Sequence, residues 1–138
     1  MSVFVLDASY TLTWCFQDRA TPNTDATLRR LETAVDSAIV PAIWSIEVAN
    51  GLGKAVVRRK LTLHRAQEIW EELALLPIRP AAPTLGVPKL LALAVHHNIS
   101  VYDACYLEAA RSDRLPLATN DHALQEAAQS YGLSVMAL

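Results

Sequence analysis

The sequence has little glycine, little cysteine and no long uncharged apolar run, and each shortage excludes a class of protein. Only four glycines occur in 138 residues, and none follows the first apolar segment, which excludes the glycine-rich turn of dinucleotide-binding enzymes. The two cysteines, Cys15 and Cys105, stand in apolar surroundings, which favours reduced, buried thiols over a disulfide framework. No apolar run reaches the roughly 18 residues of a membrane span, and no basic segment opens the chain as in a signal peptide. We therefore expect a cytoplasmic protein without a membrane segment.

The sequence also lacks an excess of either charge, because 12 basic and 14 acidic residues leave a formal net charge of only −2. That value gives no overall attraction to nucleic acid, so a polyanionic partner would need a local basic patch or bound cations. Hydrophobic residues make up 52% of the chain and charged ones 19%, a balance that excludes disorder and provides a sizeable core. The length predicts one domain, spanning residues 1–138.

Short apolar runs alternate with amphipathic segments along the chain. We predict strands at 3–6, 38–41, 115–119 and 133–137, and a strand or an extended linker at 77–83. We predict helices from Asp7 to about Phe16, over 24–38 with Leu28, Leu31 and Val35 on one face, over 42–60, from Thr62, from about Pro88, from Asp103, and from Asp121 to Gly132. A loop is predicted at 17–25. This alternation indicates an α/β fold, a three-layer α/β/α sandwich with a short central parallel sheet.

Four acids lie at the edges of the most hydrophobic segments. Asp7 ends "SVFVLD", large apolar residues enclose Glu47 in "IWSIEVAN", and Asp103 and Asp121 follow apolar runs in "SVYDACYLEAARSDRLPLATND". Open parallel sheets bind their ligands beyond the carboxyl ends of the strands. Because the four acids follow strands or begin helices at that edge, we predict that they converge there.

Each of these acids also has an ordinary structural explanation. An aspartate such as Asp103 or Asp121 suits a helix N-cap, where its oxygen accepts a free backbone N–H. Glu47 could instead pair with a lysine one or two turns along its helix. These alternatives stay open for each acid alone. The other ten of the 14 acids (14 − 4) lie mostly in polar stretches, so the set of four is what indicates a site.

Four convergent carboxylates require a compensating positive charge. Two carboxylates about 5 Å apart repel by roughly 3 kcal/mol at an effective dielectric constant near 20. A hard divalent cation, Mg²⁺ or Mn²⁺, takes oxygen ligands, and we predict Asp7, Asp103 and Asp121 as those ligands. Such ions typically support phosphodiester hydrolysis. The hydroxyls of Ser9 and Thr119 are suited to holding waters of the ion, or equally to turn hydrogen bonds.

The motifs "FVLDAS", "WSIEVANGLGKAVVRRKL", "NISVYDACYLEAA" and "LPLATNDHAL" together resemble a PIN domain. More narrowly, they resemble the VapC-type ribonuclease toxins of bacterial and archaeal toxin–antitoxin pairs, over nearly the whole chain. The resemblance implies that Asp7, Glu47, Asp103 and Asp121 form the acidic quartet of an endoribonuclease that depends on Mg²⁺ or Mn²⁺. It also matches Thr119 and Asn50 to polar positions that support the quartet.

The resemblance implies two protein partners besides the RNA substrate. One is a second copy of the chain, giving a homodimer, and the other is a cognate antitoxin, usually encoded beside the toxin. A homodimer is also suggested by Trp44, Trp70 and the leucine-rich "EELALL" at 71–76, because they exceed what one small core needs. For RNA, we predict phosphate contacts from basic residues in two runs, the alternative being a solvated helix face. These residues are Lys54, Arg58, Arg59 and Lys60 in "KAVVRRKL", and Arg111 and Arg114 in "RSDR".

Functions of other classes compete with the nuclease. A phosphoacceptor receiver domain needs an adjacent acidic pair after its first strand, and a haloacid-dehalogenase-like phosphatase needs an aspartate where Ser9 stands. The serious alternative is a non-catalytic module that captures a basic peptide in a carboxylate-lined groove. Metal-dependent RNA cleavage would separate that module from the nuclease.

Overall fold

The computed structural model describes residues 2–83 and 85–136, and within them five strands alternate with seven α-helices. The strands are β1 (Ser2–Leu6), β2 (Asp36–Val40), β3 (Ile78–Pro80), β4 (Leu117–Ala118) and β5 (Val135–Met136). The helices are α1 (Ala8–Cys15), α2 (Pro22–Glu32), α3 (Trp44–Val57), α4 (Leu63–Ala74), α5 (Val87–His97), α6 (Val101–Asp113) and α7 (His122–Ser130), with a short 3-10 helix at Gln17–Arg19. The four predicted strands are confirmed, and of the two alternatives at 77–83 the structure has the strand. Ala137, at the end of the last predicted strand, lies outside the described residues.

The five strands form one parallel sheet in the order β3-β2-β1-β4-β5. The chain moves from β1 outward through β2 to β3, and then crosses back to β4 and on to β5. Because such crossovers are right-handed, the helices before β2 and β3 cover one face and those before β4 and β5 cover the other. The predicted three-layer α/β/α sandwich is confirmed. The direction of winding reverses between β1 and β4, which is where open sheets of this kind bind ligands.

The core forms where the apolar runs of the strands meet the apolar stripes of the helices. In β1 the consecutive residues Phe4, Val5 and Leu6 are all buried, because helices cover both faces of a parallel sheet. Tyr106 of α6 and Leu31 of α2 are also completely buried. No helix within the described ranges is both long and apolar enough to cross a membrane.

Two predicted helix caps are confirmed and one is wrong. Thr62 accepts a hydrogen bond from Arg65 N at the start of α4, and Asp121 accepts one from Leu124 N at the start of α7. The cap of α6, however, is Ser100 and not Asp103, because the Ser100 hydroxyl accepts the N–H of Asp103. The helix therefore begins three residues earlier than expected, and the Asp103 carboxyl belongs to its first turn.

The predicted boundaries of α2 are also wrong. The helix begins at Pro22, inside the predicted loop, because proline fits the first helical position and the side chains of Thr21 and Thr24 cap each other's backbone. It ends at Glu32, and Ala34 then turns with a φ of 56°. Val35 therefore lies beyond the helix and is exposed.

The aromatic residues that suggested a homodimer pack inside the subunit. Trp44 is buried and lies 5.7 Å from the ring of Trp70, and Leu73 of the "EELALL" segment belongs to the same core. Trp44, Trp70 and Leu73 therefore give no support for a second copy. Leu75 of the same segment, however, is 86% exposed, and other exposed apolar side chains lie on α5, namely Val87, Leu91 and Val95.

Candidate active site

The four predicted acids gather at the carboxyl edge of the sheet, beside the point where the winding reverses. Asp7 directly follows β1, and Asp121 follows β4 after Thr119 and Asn120. Asp103 reaches this edge from the first turn of α6, and Glu47 from the first turn of α3. We call these residues the acid cluster.

Asp7 is the most deeply buried member of the acid cluster, with 4% of its surface exposed. Its Oδ2 accepts two hydrogen bonds, one of 2.7 Å from the Ser9 hydroxyl and one of 2.6 Å from the Thr119 hydroxyl. Burial raises the pKa of Asp7, and these two hydrogen bonds oppose the rise. Ser9 and Thr119, predicted to support the site, therefore fix the orientation of the Asp7 carboxyl.

Thr119 also connects Asp7 to Asp121, because its Oγ1 accepts the backbone N–H of Asp121 at 3.1 Å. Asn120 between them donates to the backbone carbonyl of Ser9 from its side chain and to the Ser9 hydroxyl from its backbone. The segments after β1 and β4 are thus joined by hydrogen bonds. One oxygen of Asp121 caps α7, so its capping role and its membership of the acid cluster coexist.

Glu47 does not form the salt bridge that was its structural alternative. Its Oε1 instead accepts a hydrogen bond of 2.7 Å from the hydroxyl of Tyr106, a fully buried residue of α6. Burial raises the pKa of Glu47, the hydrogen bond from Tyr106 opposes the rise, and the negative charge of Asp7 adds to it. Glu47 is therefore held facing the other acids.

Asp103 shows most clearly that the four acids act on one another. Burial, followed by the charges of Asp121, Asp7 and Glu47, raises its pKa to about 6, while a hydrogen bond with Ser100 opposes the rise. In the described part of the chain, no member of the acid cluster forms an ion pair with lysine, arginine or histidine. The negative charge therefore has no internal compensation.

The oxygen donors of the acid cluster suit a hard divalent cation. Carboxylates and hydroxyls are the ligands that Mg²⁺ and Mn²⁺ prefer, and uncompensated charge favours a cation over neutral groups. Within residues 2–83 and 85–136, no three Asp, Glu, His or Cys side chains are close enough to enclose an ion. The donor set fits the metal, and the carboxylates are near one another without forming a closed cage.

A cleft of about 240 Å³ opens beside Glu47, between α1 with its following 3-10 helix and α3. Gly51 lets these elements approach closely, since a Cβ there would lie 2.5 Å from a Leu12 methyl carbon. The charged residues that line the cleft are four cations, Arg19, Lys54, Arg58 and Lys60, and two acids, Asp18 and Glu47. Asn50, predicted to support the site, lines it too. We call this the α1–α3 cleft.

The structure does not bring all the predicted RNA contacts to the site. Lys54 and Arg58 line the α1–α3 cleft, but Arg59 does not. The helix α3 ends at Val57, and Arg59 has a φ of 60°, which turns the chain away from the helical path. Arg111 lies eight residues after Asp103 on α6, about 12 Å along the helix. Its guanidinium is 4.2 Å from the ring centre of Tyr131 and 3.5 Å from the Glu108 carboxylate. Arg111 is engaged in packing at the other end of α6.

Sequence reasoning missed two residues of this region. Tyr106 and Arg19 were not predicted, although Tyr106 contacts Glu47 and Arg19 lines its cleft, whereas the predicted Lys60 does line the cleft. A signal existed only for Tyr106, which follows Asp103 by three residues and therefore lies on the same face of α6. Arg19 comes from a segment that was predicted to be a loop, so nothing placed it beside α3.

The fold and the site define a class of protein, an α/β domain with an acidic cluster at its ligand-binding edge. The model of the PIN domain family matches residues 4–130, so the chain belongs to the PIN domain family. PIN domains are generally nucleases that act on nucleic acid and typically use divalent metal ions. The structure is similar to PAE2754 from Pyrobaculum aerophilum, with a TM-score of 0.69 and 21% identity, over 99% of this chain and 92% of that one. No curated protein gives a significant match to the sequence.

Proposed function

We propose that this protein is an endoribonuclease that depends on Mg²⁺ or Mn²⁺ and acts as the toxin of a toxin–antitoxin pair. The observation that carries the nuclease is the gathering of the four carboxylates at the ligand-binding edge, where burial, followed by the charges of Asp121, Asp7 and Glu47, raises the pKa of Asp103 to about 6. The toxin role rests on the resemblance of the sequence to VapC-type toxins. We further propose that it acts in the cytoplasm.

The residues of the acid cluster divide into two roles in this proposal. Asp7, Asp103 and Asp121 hold the divalent cation, with Asp7 kept in one orientation by Ser9 and Thr119. When bound, the cation lowers the pKa of water and stabilises charge on the leaving oxygen of a phosphodiester. Glu47 lies outside this ligand set and accepts the proton of the attacking water, a role suited to its raised pKa.

Purified protein incubated with a mixture of RNAs tests this function. We expect cleavage with Mn²⁺ or Mg²⁺ and none with EDTA, and sequencing of the new RNA ends would identify the preferred site. Cleavage that is equal in EDTA would contradict the role of the metal. A preparation without cleavage in any metal would favour the alternative of a module that binds basic peptides.

The α1–α3 cleft is the surface that we propose for the RNA strand beyond the scissile phosphate. Lys54, Arg58 and Lys60 form no ion pair within residues 2–83 and 85–136, so their charges are available to phosphates. From Glu47 to Arg58 the α3 side of the cleft extends about 16 Å. A local positive track of this kind can hold RNA although the net charge is −2.

We predict that Arg58→Ala weakens RNA binding severalfold, whereas Arg59→Ala leaves it close to the wild-type value. The two substitutions remove the same charge from adjacent positions, but only Arg58 lines the α1–α3 cleft. The loss of one phosphate contact should also reduce the slope of log K against log salt by about 1. Fluorescence anisotropy with a labelled oligonucleotide in Ca²⁺ or EDTA measures both quantities. Equal losses of RNA affinity in the two variants would contradict the proposed role of the α1–α3 cleft in RNA binding.

The homodimer remains part of the proposal, and its support now comes from α5. Val87, Leu91 and Val95 are 72%, 53% and 73% exposed and follow one another at helical spacing.

We predict that Leu91→Glu gives a monomer, because a charge would be buried in the interface. Gln129→Glu adds the same charge at an exposed position of α7 and should stay dimeric. Light scattering at micromolar concentration measures the oligomeric state of the wild type and both variants. A monomeric wild-type protein would contradict the proposed homodimer.

The antitoxin is proposed from the resemblance alone. Its identity would be sought in the neighbouring reading frame, whose product should suppress the growth arrest caused by expressing this protein. Continued growth arrest during co-expression would argue against that partner.

A further inference from the structure

A tyrosine from the core reaches into the acid cluster. Tyr106 is 0% exposed, and its hydroxyl donates to Glu47 Oε1 at 2.7 Å. It lies one turn after Asp103 on α6, so one helix face presents both the Asp103 carboxyl and this hydroxyl. The bond joins α6 to α3, which carries Glu47.

The surroundings explain why a hydroxyl is needed at this buried position. A phenylalanine would fill the core equally well, and a buried hydroxyl without a partner is destabilising. Burial and the hydrogen bond to Glu47 both raise the pKa of Tyr106, and the backbone N–H of Ala8 opposes them. The hydroxyl therefore lies between Glu47 and the turn that follows Asp7. A tyrosine keeps its proton at neutral pH, so it can only donate to the carboxylate.

We propose that Tyr106 is a positioning residue, which holds the Glu47 carboxylate against the acid cluster and leaves its second oxygen for the water. This inference rests on the proposed nuclease function. Without the hydroxyl, the Glu47 side chain is free to turn along the α1–α3 cleft toward Lys54 and Arg58, which line the same space. Removing the hydroxyl should therefore reduce turnover without weakening the attachment of RNA.

The test compares Tyr106→Phe with Tyr10→Phe. Both tyrosines are buried and both substitutions remove a hydrogen-bonded hydroxyl, but the hydroxyl of Tyr10 faces Thr27 at 3.1 Å and not the acid cluster. We expect Tyr106→Phe to lower kcat by roughly 10- to 100-fold, as for a lost hydrogen bond to a charged group, with KM changed by about twofold or less. Tyr10→Phe should keep the kcat of the wild type. Equal kcat in wild type and Tyr106→Phe would overturn the inference.

A double-mutant cycle with Glu47→Gln separates positioning from a general structural effect. If Tyr106 acts through Glu47, adding Tyr106→Phe to Glu47→Gln should lower kcat little further, because the group it positions has already lost its function. A full additional loss would show that Tyr106 acts on the fold and not through Glu47. The crystal structure of Tyr106→Phe gives a readout independent of activity, in which the Glu47 carboxylate should be displaced. A wild-type protein without RNA cleavage would overturn the proposed function, whereas an active wild type with an unmoved Glu47 would overturn this inference alone.

Discussion

Replacing Asp7 or Asp103 with asparagine is expected to abolish RNA cleavage while leaving the fold intact. The carboxamide has nearly the shape of the carboxylate but lacks the charge that holds a divalent cation. In Asp7→Asn, the hydroxyls of Thr119 and Ser9 can still donate to the carboxamide oxygen, so the connection between the ends of β1 and β4 should persist. The loss should be at least about a thousandfold in kcat/KM, beyond the roughly 10- to 100-fold typical of outer-shell partners of a metal.

The control for this prediction is Asp113→Asn. Asp113 is an exposed acid at the end of α6, the helix that carries Asp103, and it takes no part in the acid cluster. Its substitution removes the same charge and should leave cleavage at the wild-type rate. Kinetics with pure protein and one RNA oligonucleotide give the comparison. Residual cleavage by Asp103→Asn within tenfold of the control would place Asp103 outside the site.

The positions of Asp7 and Asp121 could be predicted because they depend on the direction of the strands that precede them. A continuous apolar run such as Phe4–Leu6 indicates a strand buried on both faces, and its sequence order fixes which end is the carboxyl end. Asp7 must then lie at the ligand-binding edge. The same reasoning placed Asp121 after β4, and neither conclusion needed any knowledge of side-chain contacts.

The contacts within the site could not be predicted, because they join residues that are distant in the sequence. Thr119 and Asp7 are 112 residues apart, and Tyr106 and Glu47 are 59 apart. Periodicity assigns such residues to an element but does not show which side chain of another element they meet. Ser100 and Asp103 are both good cap residues three positions apart, so the pattern allowed either to begin α6.

The basic residues show a further limit on what the sequence can predict about the site. Arg58 and Arg59 are equivalent in a sequence that predicts a helix through residue 60, but α3 ends at Val57. Arg59 then takes a positive φ, and only Arg58 lines the α1–α3 cleft. Helix ends are set by local capping within one or two residues, and a difference of that size decided which arginine faces the site.

The second large effect expected is on stability, and it should change sign with the metal. At about pH 7.5 in EDTA, Asp103→Asn should melt several degrees above the wild type, because it removes one of four repelling charges. Each kcal/mol shifts Tm by roughly 3–5 °C in a chain of this size. With Mn²⁺ the order should reverse, since only the wild type retains the full ligand set and ligand binding stabilises the folded state.

The effect of pH follows from the raised pKa of Asp103. Its pKa is about 6 in the folded state and 3.8 in the unfolded state, so between these values the folded protein binds more protons. The free energy of unfolding of the metal-free wild type therefore gains a contribution as pH falls through 6, and Asp103→Asn lacks it. The raised pKa values of Asp7 and Glu47 act in the same direction, and the lowered pKa of the partly buried His97 acts in the opposite one.

The difference in Tm between wild type and Asp103→Asn removes the contribution of His97, because both proteins contain it. In EDTA that difference should shrink as pH falls from about 7.5 to about 5, since the wild-type carboxyl gains the proton that makes it neutral like the carboxamide. Differential scanning calorimetry at the two pH values, with and without Mn²⁺, measures Tm in all four conditions. For the control Asp113→Asn, the Tm difference from the wild type should not shrink in this way. A Tm difference that stays constant with pH would mean that Asp103 titrates normally in the folded protein. Asp103 would then be neither buried nor close enough to the other acids for their charges to act on it, and the proposed metal site of Asp7, Asp103 and Asp121 would lose its physical basis.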